Sequence, residues 1–95
     1  MVDITFEWDG AKAAANLRKH RISFEHAKLA LADPNAIVEP DDSDPTEERW
    51  LTTGRADNVI LFVVTTEPDE HTIRIISARR ATRHEQARYY RQAHP

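Results

Sequence analysis

The sequence predicts an α+β fold built on an antiparallel sheet, with the element order β-α-α-β-β-β-β-α. Apolar residues at helical spacing occur in two places, within residues 11–32 and after residue 82. Between them, four runs of strand-forming residues follow one another with only short turns. Because no helix separates these runs, we expect an antiparallel meander with the two early helices packed on one face.

The size and composition indicate a single domain covering residues 1–95. A chain of 95 residues is too short for two independent hydrophobic cores. It has no cysteine, which excludes disulfides and thiolate metal sites. The longest apolar run, residues 59–64, is far shorter than the ~20 residues needed to cross a bilayer. We therefore expect a cytoplasmic protein without membrane contact.

The first elements are a strand and a helix. Residues 2–8 alternate between apolar and polar side chains, which is typical of a half-buried strand. Asp9 is a suitable N-cap for a helix over residues 11–20. That helix is rich in alanine and ends in cationic residues, which suits the negative end of its dipole.

A second helix and four further strands are predicted next. Ser23 is placed to cap a helix from Phe24 to Ala32, which ends at Asp33-Pro34-Asn35. Residues 40–45 are expected to form an exposed loop. The strands are predicted at residues 36–39, 48–55, 59–66 and 71–78, with a tight turn at 56–58 and a hairpin loop at 67–70.

The last element is a C-terminal helix. Thr82 and Glu85 have the spacing of a capping box, in which each side chain bonds the other residue's backbone N–H. The helix continues through Tyr89 and Tyr90. We expect one of these rings to pack on the core and the other to be partly exposed; an exposed ring can stack on a nucleobase.

The charge is segregated along the chain, although the net charge is only −3. Residues 1–32 carry five Lys/Arg and four Asp/Glu, and residues 33–70 carry two Arg against eleven acids. Residues 71–95 carry six Arg and one Glu. A basic end can hold phosphates, whereas an acidic middle repels RNA unless it folds away or meets a basic partner. The distribution also fits two solvated faces of opposite charge.

Several kinds of functional site are excluded by the sequence. With only Gly10 and Gly54, the chain has no GxGxxG or GK[ST] phosphate loop. Residues 42–44 resemble the start of a calcium loop but lack the glycine and glutamate that complete one. No histidine pair has zinc spacing, and no serine lies in a nucleophile elbow. We expect neither a metal ion nor a cofactor.

What remains is a set of cations and histidines at the ends of predicted elements. Such a set can cleave RNA without metal, because the ribose 2′-hydroxyl attacks the adjacent phosphate and needs only proton transfer and cations. His20 can act as acid or base, with Arg49 and Arg79 as clamps. Residues 79 and 80 of a strand point to opposite sides, and the helix start after Arg80 offers backbone N–H groups to a phosphate.

A structural interpretation of the same residues is also open. His20 at the end of a helix is typical of a cap. Arg49 follows Glu47 and Glu48, which favours a surface ion pair. The pair Arg83-His84 is typical of a solvated helix start.

The order of short motifs resembles the BrnT family of toxins, and the match runs from Phe6 to Tyr90. The first half carries Phe6-Glu7-Trp8-Asp9, Lys12-Ala13, Asn16, Lys19-His20, Ile22-Ser23-Phe24-Glu25 and Asp33-Pro34. The second half carries Glu47-Glu48-Arg49, Gly54-Arg55, Ile73-Arg74-Ile75-Ile76-Ser77-Ala78-Arg79, and Glu85 followed by Tyr89-Tyr90.

The resemblance implies a RelE-like fold and a ribonuclease that blocks translation. It also implies a cognate BrnA-like antitoxin with a ribbon-helix-helix DNA-binding part, in a 2:2 assembly that contacts operator DNA only through the antitoxin. The candidate active-site residues that it implies are Lys19, His20, Glu48, Arg49, Arg79 and Arg80. We expect further RNA contacts from Arg74, Arg83 and His84.

Two other functions stay open, the first because of a departure from the family and the net charge of −3, and the second because of the Arg-rich C-terminal end. The family usually places His-Ser in the acidic loop before its Glu-x-Arg, whereas residues 42–49 contain no histidine. The chain can therefore be a catalytically weak or inactive module that binds the antitoxin and regulates its operon. The Arg-rich C-terminal end also fits a standalone nucleic-acid-binding domain. In either toxin interpretation, the predicted antitoxin surface is the acidic segment 39–48 with the apolar positions around Tyr89 and Tyr90.

Overall fold

The computed structural model describes residues 3–93, and over this range it has the predicted element order. The helices are α1 (Gly10–His20), α2 (Phe24–Leu31) and α3 (Arg83–Ala93). The strands are β1 (Thr5–Glu7), β2 (Ile37–Asp41), β3 (Arg49–Ala56), β4 (Val59–Asp69) and β5 (Thr72–Arg80). The sheet order is β1-β5-β4-β3-β2, in which β2 to β5 form the antiparallel meander and β1 pairs parallel to β5. The predicted α+β class is therefore confirmed.

Local hydrogen bonds start the two early helices where the sequence predicts. Asp9 Oδ1 accepts from the Lys12 N–H at 2.9 Å, and Ser23 Oγ accepts from the His26 N–H at 3.0 Å. Each bond satisfies a backbone donor that the first turn of a helix leaves without a partner. Among residues 3–93, no helix is long and apolar enough to cross a membrane.

The two faces of the sheet bury separate cores. In β4, Leu61 and Val63 face the two early helices, while Ile60 faces α3. A Cβ atom added at Gly54 would collide with the carbonyl oxygen of Ala30, so α2 lies directly on β3. The larger core consists of Ile22, Phe24, Ala27, Ala30, Ala56, Leu61, Val63, Ile75 and Ala78, and the smaller one of Ile37, Ile60, Ala81 and Tyr89.

Several strand boundaries differ from the prediction. β2 continues through Pro40 and Asp41, which the sequence predicts in a loop. β2 lies at the edge of the sheet, where its outer side has no strand partner in the part of the chain that the structure describes, and an edge strand can include a proline. β4 continues to Asp69 through the predicted hairpin loop, with irregular pairing after Thr66. β5 continues to Arg80. β1 covers only Thr5–Glu7, and Val2 lies outside the described residues.

Asn16 fixes α1 against the edge of β5. β1 pairs with β5 from Thr72 to Arg74, and within residues 3–93 the rest of that edge has no strand neighbour. There the Ala78 N–H donates to Asn16 Oδ1 at 3.1 Å, and Asn16 Nδ2 donates to the Ala78 carbonyl at 2.8 Å. Asn16 Nδ2 also donates to the Ile22 carbonyl at 3.0 Å. One buried amide thus takes the place of a strand neighbour and joins α1, the turn before α2, and β5.

Replacing this amide should destabilise the fold. Asn16→Leu leaves the buried N–H and C=O of Ala78 and the C=O of Ile22 without their partner, at ~1–3 kcal/mol for each orphaned group. We expect the free energy of unfolding, measured in urea, to fall by ~3–5 kcal/mol, the lower part of the sum over the three groups, because larger losses are exceptional for one substitution. Arg18→Leu, at an exposed position of the same helix, is the control and should stay within ~0.5 kcal/mol. Equal stability of the two variants would contradict the role given to Asn16.

Candidate functional site

A cleft between α1 and β5 brings two of the predicted active-site residues together. Lys19 and His20 line it with Ser77, and its volume is about 230 Å³. We call it the α1–β5 cleft. Its lining is Lys12, Ala15, Asn16, Lys19 and His20 of α1 with Ile76 and Ser77 of β5.

The cleft follows from helix spacing on one side and a bulge on the other. Lys12 and Lys19 are seven residues apart in α1, so two helical turns place them on the same face. In β5 the pairing moves from Ser77 opposite Val64 to Ile75 opposite Thr65, which leaves Ile76 as the extra residue of a bulge. Ile76 and Ser77, at this bulge, form the β5 wall of the cleft.

Some of the predicted cationic residues form ion pairs with carboxylates, and others do not. Arg49 Nη2 lies 3.1 Å from Glu47 Oε2, and Arg74 Nη2 lies 3.3 Å from Glu7 Oε1. Among the described residues, no carboxylate lies within ion-pair distance of any cationic or histidine side chain in the α1–β5 cleft, namely Lys12, Lys19 and His20. The lining also contains no acidic side chain. The positive charge of this cleft is therefore available to a phosphate.

Arg79 belongs to the paired group and anchors α3. Its Nη1 and Nη2 donate to the two carboxylate oxygens of Glu85 at 2.9 and 3.1 Å. Its guanidinium carbon lies 4.2 Å from the centre of the Phe62 ring, a cation–π contact. The hydrogen bonds from Arg79 hold the pKa of Glu85 below its usual value despite burial, so this carboxylate stays ionised.

Glu85 also completes the predicted capping box at the start of α3. It accepts from the Thr82 N–H at 2.8 Å, and its own N–H donates to Thr82 Oγ1 at 3.1 Å. The carboxylate therefore places a negative charge where the sequence suggested a phosphate, which opposes phosphate binding there. Arg83 and His84 lie exposed beside it and do not line the α1–β5 cleft.

The register of β5 separates Arg79 from Arg80, as the sequence predicts. Arg79 lies opposite Phe62 and Arg80 opposite Leu61, so their side chains leave opposite faces of the sheet. The end of β5 at Arg80 borders a second pocket, of about 200 Å³, that we call the α3 pocket. Its lining is Asn58, Val59, Ile60, Arg80, Gln86 and Tyr90.

Arg49 lies in a different groove at the opposite end of the sheet. Thr53 of β3 pairs with a residue of β4 that pairs in turn with Arg79 of β5, so Thr53 and Arg79 lie in one row across the sheet. Arg49 lies four residues from Thr53 along β3. This offset corresponds to about 13 Å along the strands and about 10 Å across two strands. The structure therefore does not bring Arg49 and Arg79 into one cleft.

The groove around Arg49 is acidic. It has a volume of about 370 Å³ and includes Glu48, an exposed predicted site residue. Hydrogen bonds from Ser43 and Thr46 hold the pKa of Asp41 and of Asp44 below the usual range, so both carboxylates are ionised near neutral pH. The lining of this acidic groove is Pro40, Asp41, Asp42, Asp44, Pro45, Glu47, Glu48, Arg49 and Trp50.

A partly buried hydrogen bond positions α3. The Tyr89 hydroxyl donates to Asp33 Oδ2 at 2.6 Å, and the Arg55 N–H donates to the same oxygen at 2.8 Å. Burial together with this carboxylate raises the pKa of Tyr89 to about 12. Tyr89 is 3 % exposed and Tyr90 41 % exposed, which confirms that one ring packs on the core and the other reaches solvent. Only Tyr90 can therefore contribute to a partner surface.

Of the seven residues that line the α1–β5 cleft, only Lys19 and His20 were predicted as site residues. Lys12 and Ser77 are the two others whose side chains can contact a phosphate in the proposed site. Lys12 could have been found from its seven-residue spacing to Lys19. Ser77 could not, because its place depends on which edge of β5 lies beside α1. Within residues 3–93, no three His, Cys, Asp or Glu side chains are grouped so that they could hold a metal ion.

Comparison with known proteins identifies relatives of the chain. A family model described as "Ribonuclease toxin, BrnT, of type II toxin-antitoxin system" matches residues 8–85. The crystal structure of the Brucella abortus ribonuclease toxin BrnT has a TM-score of 0.66 and 24 % sequence identity, covering 87 % of this chain and 100 % of that one. At this identity the likeness shows a shared fold, and the expected RelE-like arrangement stays a prediction. No curated protein sequence matches the chain.

Proposed function

The chain belongs to the BrnT family of ribonuclease toxins of type II toxin–antitoxin systems, and on this premise we propose that it cleaves RNA in the α1–β5 cleft. The observation that carries the proposal is the composition of the cleft: Lys12, Lys19 and His20 surround Ser77 without a neutralising carboxylate. Arg49, Arg74 and Arg79 are each paired with a carboxylate, so this cleft is better suited to an RNA phosphate than the surroundings of those three arginines.

The proposed reaction is transfer within the RNA strand. The ribose 2′-oxygen forms a bond to the adjacent phosphorus while the bond from phosphorus to the 5′-oxygen breaks. One proton leaves the 2′-hydroxyl and one reaches the departing 5′-oxygen. Among the described residues, His20 is the imidazole that lines the cleft, and imidazole exchanges protons near neutral pH. Lys12 and Lys19 stabilise the charge that develops on the phosphate oxygens.

We propose that this cleavage needs no metal ion and that it inhibits translation by destroying mRNA. Magnesium prefers carboxylate and other oxygen ligands, whereas ammonium and imidazole groups line the cleft. The lysines supply the positive charge that a metal ion would otherwise provide. Arg49, Arg74 and Arg79 then contribute by positioning loops and α3 through their ion pairs.

Substitution of the cleft residues should abolish toxicity. We expect inducible expression of the wild type in a bacterium to arrest growth with loss of mRNA. Lys19→Ala/His20→Ala should remove both effects, because losing proton transfer alone costs about 10²–10⁴-fold in rate. Growth and mRNA integrity are followed together after induction.

Arg18→Ala is the matched control for this experiment. Arg18 is an exposed cation of the same helical turn that does not line the cleft. This variant should stay toxic. If expression of a folded Lys19→Ala/His20→Ala protein still arrested growth, this result would contradict the proposed site.

We propose that a cognate BrnA-like antitoxin with a ribbon-helix-helix part neutralises the toxin in a 2:2 complex and alone contacts operator DNA. The acidic groove is the proposed docking surface on the toxin. Arg49 pairs there with Asp44 and Glu47, while Asp41 and Glu48 have no ion-pair partner among the described residues. The surplus negative charge complements a basic antitoxin segment.

Neutralising the groove should weaken antitoxin binding. For Asp41→Asn/Asp42→Asn/Glu48→Gln we expect a loss of roughly 10-fold in affinity at low salt and less at high salt, because screening already weakens the attraction. Calorimetry with the antitoxin encoded beside this chain gives the affinity and the stoichiometry. A control variant that loses three negative charges outside the groove, Glu67→Gln/Asp69→Asn/Glu70→Gln, should bind the antitoxin with wild-type affinity. Equal affinity of both variants would place the docking surface elsewhere.

A second function is favoured by one observation. The loop from residue 42 to 48 has no histidine, and its carboxylates Asp44 and Glu47 neutralise Arg49. This arrangement fits a catalytically weak module that binds the antitoxin and regulates the operon. Operon repression by the complex, with intact mRNA after expression of the wild type, would establish this function in place of cleavage.

A further inference from the structure

The α3 pocket contains chemistry that the proposed cleavage does not use. It lies where the turn between β3 and β4, the end of β5, and α3 meet. An exposed tyrosine and two amide residues line it, the end of β5 at Arg80 forms its rim, and its lining has no acidic residue. Its volume of about 200 Å³ is below the ~300–1,000 Å³ of pockets that enclose whole small ligands, which suits one base of a longer strand.

Tyr90 is held in a defined orientation at the pocket. Its ring packs edge-on against Tyr89, with centroids 5.4 Å apart and an interplanar angle of 78°. Its hydroxyl accepts from Arg55 Nη2 at 3.4 Å. The ring is nevertheless 41 % exposed. A fixed, exposed ring is a stacking platform, because every nucleobase presents a π-face to it.

The polar groups around the ring can read a base and hold a phosphate. Gln86 Nε2 donates to the Ala81 carbonyl at 3.0 Å, which fixes the amide and leaves its oxygen as an acceptor. Asn58, in the turn, offers a second amide. Amides both donate and accept, so they can pair with the edge of a base. Arg80 lies where β5 ends at the rim of the pocket, and its register opposite Leu61 directs its side chain away from α3, so it can hold a phosphate that flanks the pocket rather than one inside it. It has no carboxylate within ion-pair distance among the described residues.

We propose that the α3 pocket binds one unpaired nucleobase of the RNA strand whose phosphate lies in the α1–β5 cleft. Tyr90 stacks on the base, Asn58 and Gln86 contact its edge, and Arg80 holds a flanking phosphate. β5 joins the two sites, since Ser77 and Arg80 are three residues, about 10 Å, apart along one strand. The inference rests on the proposed function because it takes single-stranded RNA as the ligand.

The first test uses RNA that cannot be cleaved. Fluorescein-labelled hexanucleotides with 2′-O-methyl riboses lack the attacking hydroxyl, so their binding, followed by fluorescence anisotropy, is independent of catalysis. We expect Tyr90→Ala to weaken binding by ~5–100-fold, the range for loss of one stacked base, and Tyr90→Phe to retain most of it. Wild-type affinity in a folded Tyr90→Ala protein, or no binding by the wild type, would overturn the proposal.

The second test separates the pocket from the general charge of α3. Arg80→Ala should weaken binding and reduce its salt dependence, whereas Arg91→Ala, which removes an exposed cation outside the pocket, should do neither. The double variant Asn58→Ala/Gln86→Ala should bind oligo-A, oligo-C, oligo-G and oligo-U with similar affinities. Gln92→Ala, which removes an amide outside the pocket, is the control and should keep the base preference of the wild type. Equal effects of Arg80→Ala and Arg91→Ala, or unchanged base preference in the double variant, would overturn the pocket's role.

The outcomes distinguish this inference from the proposed function. Loss of oligonucleotide binding in Tyr90→Ala together with no RNA cleavage by the wild type would refute the cleavage proposal and leave the pocket standing. Cleavage by the wild type together with unchanged binding in Tyr90→Ala would refute the pocket alone.

Discussion

The contact on which the proposed site depends is the hydrogen-bonded bridge from Asn16 to Ala78. A helix beside an open sheet edge must satisfy the backbone groups of that edge, and one side chain does so here with one bond accepted and one donated. The same amide reaches the Ile22 carbonyl, so it also fixes the turn into α2. Because α1 is held at one height along β5, Lys19 and His20 lie beside Ser77 rather than over another part of the strand.

Pairing of charges explains how a chain with a net charge of −3 can offer a phosphate site. Four arginines of the sheet, the acidic loop and α3 are matched with carboxylates: Arg49, Arg74, Arg79 and Arg88. Their charge is neutralised locally, and they contribute mainly to positioning. The cations of α1 have no such partners among residues 3–93, so a local positive potential persists in a protein that is acidic on average.

The features that were predictable from the sequence depend on neighbours close along the chain. The N-caps Asp9 and Ser23, and the capping box of Thr82 with Glu85, each involve residues three positions apart. Strand ends were less predictable, because pairing across the sheet extends β2 through Pro40 even though proline is typical of loops.

In the candidate site, too, only groupings of residues close along the chain could be predicted from the sequence. Lys19 and His20 could be grouped because they are adjacent at a helix end. The pairing of Arg74 with Glu7 joins residues 67 positions apart, and the bridge from Asn16 to Ala78 joins residues 62 apart. Such contacts are fixed by the strand order, which places β5 between β1 and β4. Residue spacing alone could not show that Arg49 and Arg79 lie in separate parts of the molecule.

The most direct measurement is end-group analysis of RNA incubated with the purified protein in the presence of a chelator. Attack by the 2′-hydroxyl leaves a 2′,3′-cyclic phosphate on one product and a free 5′-hydroxyl on the other. If cleavage takes place in the α1–β5 cleft, the wild-type protein produces these ends at the same rate with and without the chelator. The Lys19→Ala/His20→Ala variant is expected to give no products. Products with 5′-phosphate ends, or cleavage that stops when metal ions are removed, would contradict the account.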